Sequence, residues 1–158
     1  FGIGRKIPMN RVNDLGQREG YWRDSLGEGI THELYYKGGK KDGLFKCFIR
    51  NELFLFGEYT ADNMSGTWYM FGDEGELRCT IDSIELNKDS IYTGYCRIFC
   101  KYKCYCADYY PSGAVKSEGY MVCDEEFEIE IWEIGEWKYY DESGNLIKTK
   151  DYGDRRTP

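Results

Sequence analysis

Short segments that either alternate apolar and polar residues or are rich in aromatic residues recur along the chain. Four of them are GLFKCFI (43–49), ELFLFGEY (52–59), GTWYMF (66–71) and ELRCTI (76–81). The connectors GDEG, DESG, PSG and GGKKDG carry glycine where a hairpin loop needs a left-handed backbone. Segments of this length, rich in strand formers and bounded by turn residues, predict β-hairpins rather than helices.

One pattern of residues is repeated at a fixed interval. The stretches WYMFGDEGEL (68–77) and WKYYDESGNL (137–146) share the pattern Trp-x-x-aromatic-x-x-x-Gly-x-Leu and lie 69 residues apart. Gly-x-aromatic triplets with a period of 23 residues place Trp22, Phe45 and Trp68 in phase, and three periods further on the series reaches Trp137. A period of this size is typical of repeat architectures.

The middle of the chain departs from this series. The period predicts triplets at 89–91 and 112–114, where the sequence reads DSI and SGA, so this region has drifted or gained insertions. A shifted copy survives in Tyr109, Gly113 and Val115, with Cys106 at the position of the tryptophan. We expect each ring to stack on its counterpart in the next unit, because an isolated hairpin must bury its apolar face on a neighbour.

These patterns together predict an all-β fold. We expect an elongated antiparallel meander of repeated β-hairpins, bent or interrupted near 82–103. The whole chain, 1–158, is then a single repeat domain, with repeats over about 10–152 and a tail at 153–158.

Composition narrows the possible partners. With 41% hydrophobic, 17% aromatic and 31% charged residues, the chain is too apolar for disorder and has no run long enough for a membrane span. The net charge of −7 disfavours nucleic acid and anionic membranes as partners. Seven cysteines, an odd number, favour reduced thiols and a cytoplasmic location. The chain begins at Phe1, so any leader would precede it.

The repeat resembles the MORN type (membrane occupation and recognition nexus), in particular the divergent bacterial arrays labelled YwqK-type antitoxins. VNDLGQREGYW (12–22) and FGEYTADNMSGTWYMFGDEGEL (56–77) carry the resemblance, which extends over 12–81 and 104–152. It implies an elongated antiparallel meander without catalytic residues and a role in binding other proteins; some eukaryotic relatives bind lipid. We expect no cofactor and no metal. Residues 82–103 depart from the family pattern.

Two dense runs of residues suggest chemistry but also have simpler explanations. In CRIFCKYKCYC (96–106), a single strand would place Cys96, Ile98, Cys100, Tyr102, Cys104 and Cys106 on one face; we expect core packing, with metal binding and redox chemistry as alternatives. In DEEFEIEIWEIGEW (124–137), the alternation predicts that Glu126, Glu128 and Glu130 line the solvent-exposed side of a half-buried strand, with Trp132 on the same side. The only histidine, His32, has no accompanying nucleophile motif.

Two functions from different classes follow. The first is a non-enzymatic protein-binding module, antitoxin-like by resemblance, that presents one long face rich in aromatic residues. The second is a carbohydrate-binding or carbohydrate-processing protein that uses exposed rings and a carboxylate pair such as Glu126 and Glu133. The residues that we expect to contact a protein partner flank the ring positions: Tyr35, Tyr36, Tyr59, Tyr69, Trp132 and Tyr139.

Overall fold

A computed structural model describes residues 8–92, 97–124 and 131–155. Every regular element among them is a β-strand, so none of the described residues belongs to a helix that could cross a membrane. The chain forms two compact units, Phe1–Ser65 and Gly66–Pro158, and the division falls within one strand.

Unit 1 is an antiparallel meander in which each strand pairs with the next one along the chain. Its strands are β1 (Arg11–Val12), β2 (Arg18–Gly27), β3 (Ile30–Lys37), β4 (Lys40–Ile49), β5 (Glu52–Thr60) and the start of β6 (Asn63–Phe71). Two-residue turns join β2 through β6, and both turn residues have positive φ, as at Arg50 (52°) and Asn51 (71°). Turns of this kind match the twist of the paired strands and fix their register.

Unit 2 continues with β7 and six further strands in a second antiparallel arrangement. Its strands after β6 are β7 (Leu77–Leu86), β8 (Ile91–Tyr92), β9 (Arg97–Ile98), β10 (Tyr102–Tyr109), β11 (Val115–Cys123), β12 (Ile131–Tyr140) and β13 (Leu146–Asp151). The pairs β6/β7, β10/β11 and β12/β13 are hairpins whose loops place Gly75, Gly113 and Gly144 at φ near 80°. The expected all-β antiparallel hairpin meander is therefore confirmed.

The expected interruption near 82–103 is an insertion. β10 pairs with β7, and fifteen residues, 87–101, lie between these strands in the chain; the described ones include the separate β8/β9 ribbon. We call this segment the 87–101 excursion. Hydrogen bonds close its base, from the Asn87 amide to the Lys101 carbonyl (2.8 Å) and from the Lys101 amide to Asp124 Oδ1 (2.7 Å).

This topology corrects the predicted repeat series after Trp68. Cys106 on β10 is the next equivalent position, and it lies 38 residues after Trp68, fifteen more than the period. Trp137 on β12 follows 31 residues later, eight more than the period. The two excesses add up to one full period. Trp137 therefore still matches the 23-residue spacing, although one repeat, rather than two, lies between it and Trp68.

The repeat rings lie on one face of each unit, which we call the ring face; the opposite side is the reverse face. In unit 1 a lateral row runs through the paired positions Trp22, Leu34, Phe45 and Gly57. In unit 2 the corresponding row is Trp68, Ile81, Cys106 and Gly119, and the indole of Trp137 lies over Gly119. Each row thus has a residue of an intervening strand between successive rings, which corrects the expectation that rings of consecutive units are neighbours in a stack.

The run 96–106 is not a single strand, and its cysteines face different sides. Cys104 and Cys106 lie buried on the ring face of β10, together with Tyr102. Cys100 belongs to the 87–101 excursion and packs with Ile91 and Val122 on the reverse face. Cys96 lies outside the described residues. The described cysteines of the run are core residues, but in two separate clusters.

Candidate functional site

The reverse face of unit 1 carries an exposed patch of aromatic and aliphatic side chains. Tyr21 and Tyr35 are cross-strand partners with ring centroids 5.4 Å apart, one residue away from the ring-face pair Trp22 and Leu34. Because side chains alternate along a strand, they point to the opposite side. Leu44 lies on the same side as the tyrosines, next to Phe45 in the chain. Tyr35 is 38% exposed and Leu44 47%.

The backbone of β4 makes room for this patch. A Cβ built at Gly43 would meet the Tyr35 Cβ at 3.0 Å, and the φ of Gly43 is 129°, a value that L side chains rarely adopt. The register between β3 and β4 shifts at the same place, between Leu34 and Tyr36. A bulge at Gly43 therefore lets the Tyr35 side chain lie against the neighbouring strand, beside Leu44.

Charged side chains border the unit 1 patch and are held in place. Arg23 Nε lies 3.8 Å from Glu33 Oε1. Burial, and then a hydrogen bond to Glu33, raise the pKa of Tyr21 to about 12. The phenol is therefore neutral at physiological pH, and Glu33 is close enough to influence its titration. A side chain that is already ordered loses less entropy when a partner binds.

Unit 2 also has a tyrosine patch with charged neighbours on its own reverse face. Tyr105 and Tyr120 are cross-strand partners with centroids 5.1 Å apart, and Tyr120 is 45% exposed. The Tyr140 hydroxyl donates to Glu118 Oε1 at 2.7 Å. Burial, and then the charge of Glu118, raise the pKa of Tyr105 to about 12. Lys103 Nζ lies 5.2 Å from the centroid of the Tyr120 ring. Each unit thus presents a tyrosine pair beside a glutamate.

The six residues expected at a partner surface do not share one face. Tyr35 and Tyr69 lie on the reverse faces of their units, and Tyr69 is half-buried. Tyr36, Tyr59 and Tyr139 lie on ring faces.

The ring-face tyrosines have partners within the protein. The Tyr36 ring lies edge-on to Trp22 (5.9 Å), and its hydroxyl accepts from Arg18 at 2.8 Å. Tyr59 is 4% exposed and packs edge-on against Phe45, 5.7 Å away, so a partner would find no surface on it. The hydroxyls of Tyr139 and Tyr152 are 2.8 Å apart.

Trp132 lies on the reverse face and is covered by other residues. The expectation that it lies on a solvent-exposed side is therefore wrong. It is half-buried and packs against the cluster of Ile91, Cys100 and Val122 beneath the 87–101 excursion. Arg155 lies over its ring at 5.3 Å. The alternation of residues around Trp132 does not reveal that a segment inserted elsewhere in the chain packs against β11 and β12. Glu126, Glu128 and Glu130 lie outside the described residues.

Sequence reasoning missed most of both patches. Tyr21, Leu44, Tyr105 and Tyr120 were not among the expected contact residues, although a usable signal was present. A residue one position from a ring of the series points away from the ring face, and Tyr21 and Leu44 are direct neighbours of Trp22 and Phe45. In unit 1, a tyrosine an odd number of residues from a repeat ring in the same strand lies on the reverse face, and one an even number away lies on the ring face.

The other candidate features are the only histidine, two buried cysteines and a small cavity. His32 is half-buried, its ring lies 5.1 Å from that of Phe45, and burial followed by the charge of Lys41 lowers its pKa. Hydrogen bonding to a neighbouring thiol and burial raise the pKa of both Cys104 and Cys106, which opposes a thiolate nucleophile. A cavity of about 150 Å³ in unit 2 is bordered by Asn87, Asp89, Lys103 and Asp154 among others, whereas ligand sites usually occupy about 300–1,000 Å³.

Comparisons with protein-family models, with curated proteins and with solved structures find no match to this chain.

Proposed function

We propose that the chain is a non-enzymatic module that binds another protein through its reverse-face patches. The observation that supports this most strongly is the recurrence of one arrangement in both units, a cross-strand tyrosine pair beside a glutamate. Tyrosine provides large contact area with little side-chain entropy to lose, and exposed aromatic centres with charged borders are typical of binding hot spots.

The chemistry of the patches favours a partner that presents arginine or lysine beside apolar side chains. A tyrosine ring attracts a cation over its face, and an adjacent carboxylate can pair with the same cation. The protein's own Lys103 already makes this contact, with its Nζ 5.2 Å from the centroid of the Tyr120 ring. The net charge of −7 would steer a basic protein toward the chain.

The resemblance to MORN-type arrays agrees with this proposal. In its antitoxin-like form, the partner is a protein whose harmful activity stops when it is bound. Such binding requires neither a cofactor nor a catalytic residue, since a broad sheet surface can hold a partner without a pocket.

The test compares partner capture by two leucine variants in unit 1. Leu44→Ser changes the patch, and Leu26→Ser changes a leucine that is 60% exposed on β2 as a matched control. We expect a basic protein to be captured in stoichiometric amount by the native chain and by Leu26→Ser. Loss of a buried anchor costs about 2 kcal/mol, so Leu44→Ser should weaken the affinity about thirtyfold.

Two results would contradict the proposal. The first is equal capture of the same partner by Leu44→Ser and Leu26→Ser, which would place the contact elsewhere. The second is specific binding on a glycan array together with absence of a stoichiometric protein partner, which would favour the carbohydrate alternative.

A further inference from the structure

Two cysteines and an aspartate of unit 2 come together on the ring face of β7 and β10. Cys79 Sγ and Cys106 Sγ lie 3.2 Å apart. With a carboxylate oxygen of Asp108 they form a group whose atoms all lie within 4.8 Å of one another. Both cysteines are buried and Asp108 is half-buried. This is the only such group of three found among the described residues.

The register of the two strands disfavours a disulfide between these cysteines. Cys79 pairs with Asp108, and Cys106 pairs with Ile81, so the two cysteines are diagonal neighbours rather than direct partners. Diagonal neighbours have Cα atoms roughly 7–8 Å apart. A disulfide does not bridge Cα atoms more than about 7 Å apart unless the backbone moves.

The same three atoms suit a single metal ion. Zinc binds thiolate sulfur at about 2.3 Å and carboxylate oxygen at about 2.0–2.2 Å, so two of its ligands lie at most about 4.6 Å apart. The sulfurs need to move apart only slightly to reach tetrahedral spacing. A carboxylate beside two thiolates favours Zn²⁺ over Cu⁺, which prefers sulfur ligands alone.

A further hydrogen bond orients the carboxylate ligand. Ser117 Oγ donates to Asp108 Oδ2 at 2.9 Å, and Ser117 is 6% exposed. Asp108 and Ser117 are cross-strand partners in β10 and β11, so the backbone register fixes this contact. Partners of this kind hold metal ligands in place and are part of most metal sites.

We propose that Cys79, Cys106 and Asp108 bind a zinc ion that joins β7 to β10, with a water molecule as the fourth ligand of the tetrahedron. The site lies where the repeat has lost its ring, since Cys106 stands at the tryptophan position. It also lies at the strand pair that the 87–101 excursion separates along the chain. A link between Cys79 and Cys106, which are 27 residues apart in the chain, closes a loop whose formation costs conformational entropy, and metal binding offsets part of that cost.

The test is titration of the reduced full-length chain with Co²⁺, which gives a thiolate-to-cobalt charge-transfer band, and with Zn²⁺ followed by native mass spectrometry. We expect one ion per chain and a melting temperature about 5–11 °C higher at a hundredfold excess of Zn²⁺ over Kd. Cys106→Ala should abolish the band. Asp108→Asn, which keeps the side-chain size, should weaken binding at least tenfold and keep a thiolate band.

Cys47→Ala is the matched control, because Cys47 is a buried cysteine of unit 1. It should bind Co²⁺ as the native chain does. The proposal is overturned if the native chain shows neither the band nor a bound ion, or if binding persists unchanged in both Cys106→Ala and Asp108→Asn. Equal loss of binding in Cys47→Ala would also overturn it. If Cys106→Ala does not fold, Asp108→Asn alone decides.

Discussion

Replacement of Gly119 by alanine tests how the ring face of unit 2 is packed. A Cβ built at Gly119 would lie 2.5 to 2.6 Å from the indole carbons of Trp137. That indole is 5% exposed, and its Nε1 donates to the Tyr120 carbonyl at 2.7 Å. The φ of Gly119 is outside the left-handed region. Any cost of the substitution therefore comes from crowding and from displacement of the indole.

Overpacking of a buried site costs about 1–3 kcal/mol. We expect Gly119→Ala to lower the free energy of unfolding by about 2 kcal/mol, which for a chain of this length lowers Tm by about 4–8 °C. Urea denaturation and thermal melting followed by circular dichroism would measure both quantities. The matched control is Gly72→Ala, where the atoms nearest to a new Cβ belong to the Glu76 and Arg78 side chains. Those flexible side chains can move aside, so we expect a change below about 0.5 kcal/mol.

A double-mutant cycle identifies the cause of the cost. In a Trp137→Leu background the ring over Gly119 is absent, so Gly119→Ala should cost less than about 0.5 kcal/mol there. Equal costs in the two backgrounds would refute the reasoning, because the penalty would then have a source other than the indole. A neutral Gly119→Ala in the native background would refute it as well.

Two further substitutions test other parts of the fold. Burial followed by the charge of Lys41 lowers the pKa of His32 from 6.5, so the unfolded chain binds this proton more readily, and stability should fall as pH decreases from above 6.5 to the folded-state pKa. His32→Gln should reduce that loss in urea titrations at pH 7.5 and 5; an unchanged difference would contradict it. Val122→Ala, at a position that is 1% exposed in the cluster under the 87–101 excursion, should cost about 2 kcal/mol. It should also speed amide exchange in the described part of the excursion, whereas Ile131→Ala, at a half-exposed site, should do neither.

Hairpins were predictable from sequence because their signals are local. Alternation and turn residues identify β4, β5, β6 and β7, and Gly75 and Gly144 mark equivalent hairpin loops. The order of strands after Leu86 was not predictable in this way. The two insertions together are as long as one repeat period, so Trp137 still lies a whole number of periods after Trp68. Counting by the period therefore predicts one repeat more than the chain has.

The site residues depended on that hidden topology. Cys79 and Cys106 lie 27 residues apart in the chain, and they meet only because β10 returns to β7 after the 87–101 excursion. The covering of Trp132 has the same origin. By contrast, the face on which Tyr21 and Leu44 lie was predictable, because each is one residue away from a repeat ring in the same strand.

The central claim, that the reverse face of unit 1 binds a protein, is tested most directly by site-specific photocrosslinking. A photoreactive phenylalanine analogue would replace Leu44 in one sample and Leu26 in another, and each chain would be irradiated with the captured partner. We predict a covalent adduct from position 44, whose mass equals one chain plus one partner, and little or none from position 26. Adducts of equal yield from both positions, or from position 26 alone, would contradict the account.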